Sequence, residues 1–281
     1  MESSRRRIGF VDHVLDNWHA NVFLDLLRKS LQFRGFEVTA CTASDATAGQ
    51  AWGSKNNVPY FNSPGEMAGN VDAFMILAPS NPERHLEMCR QVFPLKKPTY
   101  IDKTFAPNFT VAREIFALAD QHGLPIQSSS SLRHTNVQLE AQKMGKVEQM
   151  VAWGAGRSFG EYAVHVVEMI VSCMGSDVQS VMRRGTDRLS QLMINYPDGR
   201  TAVGNIYCET ETPFSASLTD ARRTVYVPVG VSTLYANALT AILDFFETGK
   251  PNVPREQTLI ISRILEIAES AQAREGFVRL V

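Results

Sequence analysis

The chain has 281 residues, long for one domain and comfortable for two. With 44% hydrophobic and 20% charged residues its composition is that of an ordinary globular protein, which excludes a disordered chain. Its 28 Lys and Arg stand against 29 Asp and Glu, a net charge of -1, so no basic excess offers a phosphate-tracking surface and nucleic acid is excluded as a partner.

The first elements alternate between strand and helix. Residues 7–11 read as a buried strand, and residues 21–33 carry Val22, Phe23, Leu26, Leu27 and Leu31 at helical spacing up to the stop at Gly35. A second strand follows at 36–41, a helix at 46–57 and a short strand at 60–61. Residues 71–78 form a near-continuous apolar run ended by Pro79, the pattern of a parallel strand buried on both faces. A helix at 82–92, a strand at 99–102 and a helix at 108–122 complete the series. Repeated strand–helix units of this length imply right-handed crossovers and a doubly wound, Rossmann-like parallel sheet.

After about Gly123 the pattern changes. Helices are expected at 138–144 and 160–174, then several strands between 177 and 229, punctuated by the turn Pro197-Asp198-Gly199. Strands in direct succession imply an antiparallel sheet. Helices return at 233–248 and 255–274, stopped by Gly249 and Gly276, and residues 277–281 can close as an edge strand. The expectation is an α/β chain: a dinucleotide-binding Rossmann-like domain over 1–122, and an α+β domain with a mostly antiparallel sheet over 123–281. The second domain is expected to serve substrate binding and oligomerisation.

Cys41, Cys89, Cys173 and Cys208 are scattered, with no metal-ligand or redox spacing; they read as buried thiols of a reducing compartment, and no metal is expected. Residues 1–7 are polar and basic, and the strand that follows is too short for the core of a signal peptide. No apolar run approaches transmembrane length, so a cytoplasmic protein without a membrane partner is expected.

Ligands of a doubly wound sheet sit at the carboxyl ends of its strands. After the first strand a dinucleotide fold carries G-x-G-x-x-G, because only glycine lets the backbone approach the diphosphate. Here the segment is Asp12-His13-Val14-Leu15-Asp16-Asn17-Trp18-His19-Ala20, without any of the three glycines. Asp12 and Asn17 read either as cofactor ligands or as simple helix entry and capping; His19 reads as a packing residue. The second strand ends in Thr42, Ala43 and Ser44, with no acid placed for ribose hydroxyls and no arginine for a 2′-phosphate, which leaves NAD against NADP open.

Residues 72–79 followed by His85, and Tyr100-Ile101-Asp102-Lys103-Thr104, resemble the strand-end and "EKP" segments of the Gfo/Idh/MocA oxidoreductases. Ser131-Leu132-Arg133 is similar to the entry to that family's second domain, and residues 161–175 to its helix with the D-x-x-x-H motif. Residues 245–251 and 257–278 are similar to its closing helices. The departures are the lost glycines, Thr104 in place of proline, Glu161 in place of aspartate, and a shorter chain.

The resemblance implies NAD or NADP along the carboxyl edge, against Asp12, Asn17, Thr42, Ser44, Pro79, Ser80, His85 and Asp102. It implies hydride transfer at a hydroxyl-bearing carbon of a sugar, polyol or related small molecule, in carbohydrate metabolism. Lys103 would supply positive charge and His165 the acid/base. Glu161, four residues earlier on the same helix face, would stand beside it, all at one substrate cavity. Arg133, Trp153 and Tyr162 are candidates for substrate binding; for Arg133 the alternative is pairing between domains, and for the two aromatic residues it is core packing. Two other functions stay open: a tightly held cofactor used for redox-assisted elimination or epimerisation, and a non-catalytic ligand sensor. A homodimer or homotetramer is expected.

Overall fold

The computed structural model describes residues 5–280, which pack as two compact units. The first runs to Ser129 and also includes Tyr235–Val253; the second comprises Ser130–Leu234 and the chain from Pro254 onward. By packing, therefore, the first unit extends past residue 122 and takes back a later helix.

The first unit contains β1 (Arg6–Asp12), α1 (Trp18–Arg28), β2 (Phe36–Ala43), α2 (Ala46–Asn56), α3 (Pro64–Met67), β3 (Ala73–Ile76), α4 (His85–Val92), β4 (Thr99–Ile101), α5 (Phe109–Gln121) and β5 (Ile126–Gln127). All four pairings are parallel, in the order β2-β1-β3-β4-β5. This is the expected doubly wound sheet. β3 is buried along its whole length, which is why its sequence is a run of apolar residues rather than an alternation. The chain runs outward from β1 to β2 and then crosses back to β3, so the carboxyl ends of β1 and β3 flank the point where the strand order reverses.

α1 begins three residues earlier than its apolar periodicity suggests. The Asn17 side chain accepts from the backbone N–H of Ala20 and so caps the first turn. It also ends sooner, and residues 32–34 form a separate 3₁₀ turn closed by Gly35 at φ 70°. β3 is shorter than the apolar run: the chain leaves the sheet after Ile76, and Ala78 takes the left-handed conformation at φ 43°.

The second unit contains α6 (Asn136–Lys143), β6 (Gln149–Gly156), α7 (Phe159–Met174), β7 (Ser180–Gly185), β8 (Leu189–Asn195), β9 (Thr201–Cys208), β10 (Ser215–Thr219) and β11 (Thr224–Pro228). The sheet has the order β11-β10-β6-β9-β8-β7-β12, with β12 the short edge strand Val278–Arg279. Only β6 and β9 pair in parallel; the other ladders are antiparallel, as expected. Val281, the last residue of the expected edge strand, lies outside the described residues.

α7 lies on one face of this sheet, and small residues let it approach. A Cβ on Gly154 or Gly204 would come within 2.7 and 2.9 Å of the Val166 side chain. Side chains alternate along a strand, so Val151 and Trp153 project from the opposite face. There Trp153 meets Tyr226 edge to face, ring centroids 6.3 Å apart.

α8 (Leu234–Thr248) closes the first unit: Leu239, Ile242, Leu243, Phe245 and Phe246 join one apolar cluster with Ile8, Phe10, Phe23 and Phe36. The expected single helix at 255–274 is interrupted. α9 (Arg255–Glu269) ends at Ser270, whose extended backbone breaks the helix and whose hydroxyl caps α10 (Ala271–Glu275). No helix among the described residues is long and apolar enough to cross a membrane.

Candidate active site

The first βα turn is where a doubly wound fold receives an anion, on free backbone N–H groups at the start of a helix. In this chain Asp12, at the end of β1, turns its own carboxylate into that place. Oδ1 accepts from the N–H groups of His13 at 2.7 Å, Val14 at 3.2 Å and Ala78 at 3.1 Å. Oδ2 accepts from Asn17 Nδ2 at 2.8 Å. Because Ala78 follows β3, the carboxylate ties together the two strand ends at the reversal point. Only 2% of Asp12 is exposed, and burial pushes its carboxyl up to about 7 against the opposing pull of Asn17 and the three amides.

Asn17 is equally committed. It caps α1 with its oxygen and donates to Val14 O at 2.7 Å as well as to Asp12. Both residues take up the helix-entry and capping arrangement, with their polar atoms engaged by the protein.

At the next strand ends the pattern repeats. Asp102 is 1% exposed; its Oδ2 lies 2.5 Å from His19 Nδ1, and its Oδ1 accepts from Lys103 N at 2.8 Å and Tyr100 OH at 3.3 Å. Burial raises this carboxyl, but His19 and Lys103 outweigh it and hold it below the ordinary carboxylate range. His85 is fully buried, with Nδ1 3.0 Å from Phe105 O and Nε2 2.9 Å from Leu77 O, which leaves no ring nitrogen for a cofactor. It clamps the end of β3 to the segment after β4.

Lys103 is the cation of this edge. Its ammonium donates to Pro79 O at 2.9 Å, so the side chain crosses from the end of β4 to the turn after β3. The Lys103–Thr104 peptide is cis. Thr42 is buried at the end of β2, the N–H of Ser44 donates to Asp12 O at 3.1 Å, and Ser80 is exposed in the turn after β3. The structure thus gathers the predicted residues of this unit around one edge, with Asp12, Asn17, His85 and Asp102 engaged internally.

In the second unit α7 carries Glu161, Tyr162 and His165. Ser158 caps the helix by accepting from Glu161 N. His165 Nδ1 lies 2.6 Å from Ser130 Oγ, and its ring packs between Tyr162 and Phe214, centroids 5.5 and 6.1 Å away. Tyr162 lies directly over Gly156, where a Cβ would overlap its ring at 1.9 Å. Trp153, proposed alongside Tyr162, is on the other face of the sheet from α7; the two-residue period of β6 separates them.

Arg133 is drawn into its own unit. Its Nε donates to Glu168 and its Nη1 to Gln257 at 2.7 Å, while Nη2 is buried without a partner. Glu168, on the same helix, is buried as the counter-ion of Arg133. Sequence reasoning missed His19 and Ser130. Each meets its partner through the fold, His19 from 83 residues away and Ser130 from 35, so no local spacing announces either.

A dinucleotide can be tested against these donors. Thr42, Ser44 and Lys103 stand at the strand ends, where they would meet its ribose and nicotinamide parts. The first turn does not suit its diphosphate, because the amides that would receive it already hold a carboxylate.

Residues 18–130 match the family model described as "Oxidoreductase family, NAD-binding Rossmann fold", GFO_IDH_MocA. No curated protein matches the chain. Among solved structures it is similar to a "probable dehydrogenase" from Thermotoga maritima (TM-score 0.84, 13% identity, 98% of each chain covered). It is also similar to apo scyllo-inositol dehydrogenase from Lactobacillus casei (TM-score 0.83, 12% identity, 100% of this chain and 99% of that one). A third is the WlbA dehydrogenase from Bordetella pertussis in complex with NADH and UDP-GlcNAcA (TM-score 0.80, 13% identity, 99% of each chain). At these identities the likeness is one of fold.

Proposed function

We propose that the protein is a nicotinamide-dependent oxidoreductase acting on a hydroxyl of a sugar, polyol or related small molecule. The observation that carries this reading is Lys103, a buried cation fixed at the carboxyl ends of the parallel sheet by Pro79 O. A nicotinamide, when bound, supplies the hydride acceptor or donor. The chain's own residues manage the proton and the charge. Lys103 favours the alkoxide form of the reacting hydroxyl. His165, its ring held by Ser130, exchanges the hydroxyl proton, and Glu161 supports it from the preceding turn. The neighbours named as a scyllo-inositol dehydrogenase and as a dehydrogenase in complex with NADH and UDP-GlcNAcA support this class.

The cofactor reading is tested by titrating ligand-depleted protein with NADH and NADPH, followed by nicotinamide fluorescence; saturable binding of one supports it, and binding of neither removes it. With a substrate identified from a panel of sugars and polyols, Lys103→Ala and His165→Ala should each lower turnover by roughly 10²- to 10⁴-fold while remaining folded. Near-normal turnover in either variant removes that residue from the mechanism. The filled first turn favours a second reading, a ligand-sensing relative without turnover; a protein that binds a polyol but neither dinucleotide supports it. The face of the second sheet that carries Val151, Trp153 and Tyr226, the last 59% exposed, supports pairing with a second copy, checked by the mass in solution.

A further inference from the structure

We propose that Asp12 is an internal anion standing in for the cofactor diphosphate, so that a dinucleotide reaches the first turn only by displacing this carboxylate. The inference deepens the cofactor reading above and rests on the geometry of one side chain. The hydrogen bonds to Asp12 are those expected of a bound phosphate oxygen: two successive amides of the first βα turn, His13 and Val14, and a third from Ala78 across the strand reversal. A side-chain amide, Asn17 Nδ2, takes the second oxygen. Nothing in this set is left over for a ligand.

The arrangement has a clear cause in the sequence. β1 reads Ile8-Gly9-Phe10-Val11-Asp12, with an acid where a dinucleotide fold turns on glycine. A glycine there leaves the amides open. An aspartate one residue before them reaches back and closes a ring of hydrogen bonds, as an Asx turn does. The loop therefore keeps the conformation of an anion-binding turn without binding an external anion. That explains how the chain preserves the architecture of the family after losing all three glycines of its fingerprint.

Displacing Asp12 has two costs for a ligand. The carboxylate must give up its amides, and its negative charge must then lie beside the diphosphate. Removing the carboxylate should therefore tighten dinucleotide binding by roughly tenfold or more. Removing it by Asp12→Gly also leaves the N–H groups of His13, Val14 and the buried Ala78 without this acceptor, which a small anion can then replace.

The test uses the full chain, depleted of ligand, as wild type, Asp12→Gly and Asp12→Asn. Two probes are titrated: inorganic pyrophosphate, followed by the amide resonances of His13, Val14 and Ala78, and NADH, followed by fluorescence. The expected result is that pyrophosphate moves those three resonances in Asp12→Gly and leaves them in place in the wild type. NADH should bind Asp12→Gly at least roughly tenfold more tightly than the wild type, with Asp12→Asn between the two. Pyrophosphate responses that are equal in Asp12→Gly and the wild type overturn the proposal whatever NADH does, and so does tighter NADH binding by the wild type. Pyrophosphate binding to Asp12→Gly without NADH binding upholds the role of Asp12 and rejects the nicotinamide reading. If Asp12→Gly does not fold, Asp12→Asn decides: it keeps the shape, removes the charge, and should still gain NADH affinity several-fold, whereas no gain overturns the proposal.

Discussion

The carboxyl edge of the first unit and the α7 face of the second have diverged in opposite ways. At the edge, the glycines that define a dinucleotide turn are gone, yet the hydrogen-bond geometry of that turn is kept because the Asp12 carboxylate fills it. On α7, family-like residues are kept while two of their neighbours are bound to each other, Glu168 to Arg133. The difference teaches that a lost motif need not mean a lost local structure. A retained residue, in turn, need not face a ligand. What decides is which partner satisfies each buried polar group.

The comparison is broken most strongly at the buried ion pair of the second unit. Arg133→Ala leaves Glu168 charged and buried, and should lower unfolding stability by about 3–5 kcal/mol, read from urea denaturation. Replacing both partners together with apolar residues of similar volume, Arg133→Met with Glu168→Leu, should recover much of that loss. A single variant as stable as the wild type would mean that the pair is open to water in solution.

A smaller effect is expected at the matching pair of the first unit. His19→Ala removes one partner of Asp102 but leaves the Lys103 N–H and Tyr100 hydroxyl, so a cost of about 2–3 kcal/mol is expected. The pH dependence has a definite sign. Asp102 is held below its unfolded value, so its contribution is present above the ordinary carboxylate pKa and is lost as pH falls through the folded value. Without His19 that lowering shrinks, and the acid limb of the stability profile should move to higher pH. An unchanged acid limb would show that His19 does not hold Asp102.

The smallest effect distinguishes Asp12 from Asp102. Asp12 is raised, to about 7, so the folded state holds its proton more tightly than the unfolded chain, and the wild type should lose stability as pH rises from about 4 to about 7. Asp12→Asn lacks this loss. Relative to wild type it should gain about 2 kcal/mol at pH 8 over its value at pH 5; the poorer match of its amide to Asn17 is the same at both pH values and cancels in that difference. A difference that does not vary with pH would place the Asp12 charge in water.

Much of the fold was legible in the chain, because burial writes itself into periodicity. The apolar run over 71–78 announced a central parallel strand, and the succession of strands after 177 announced a different sheet. Boundaries were less legible where a side chain overrides periodicity, as when Asn17 starts α1 early or Ser270 divides the last helix. Of the proposed site residues, Lys103 and His165 were singled out through resemblance, and their places at a strand end and on a helix were legible. The loss of the glycines was plain too, but not its consequence, since the direction in which Asp12 turns is set by amides on two strands. The face of Trp153 follows from strand parity alone, once Gly154 is seen to be the residue under α7.

The central claim is that the fold supplies its own anion at the reversal point of the parallel sheet. Carbon-detected NMR of the Asp12 carboxyl across pH, with the amides of His13, Val14 and Ala78 followed in parallel, tests this most directly. The account predicts a carboxyl midpoint near 7 and the same midpoint in all three amides. Amides of His13, Val14 and Ala78 that stay indifferent to the titration of the Asp12 carboxyl, wherever its midpoint lies, would contradict the account.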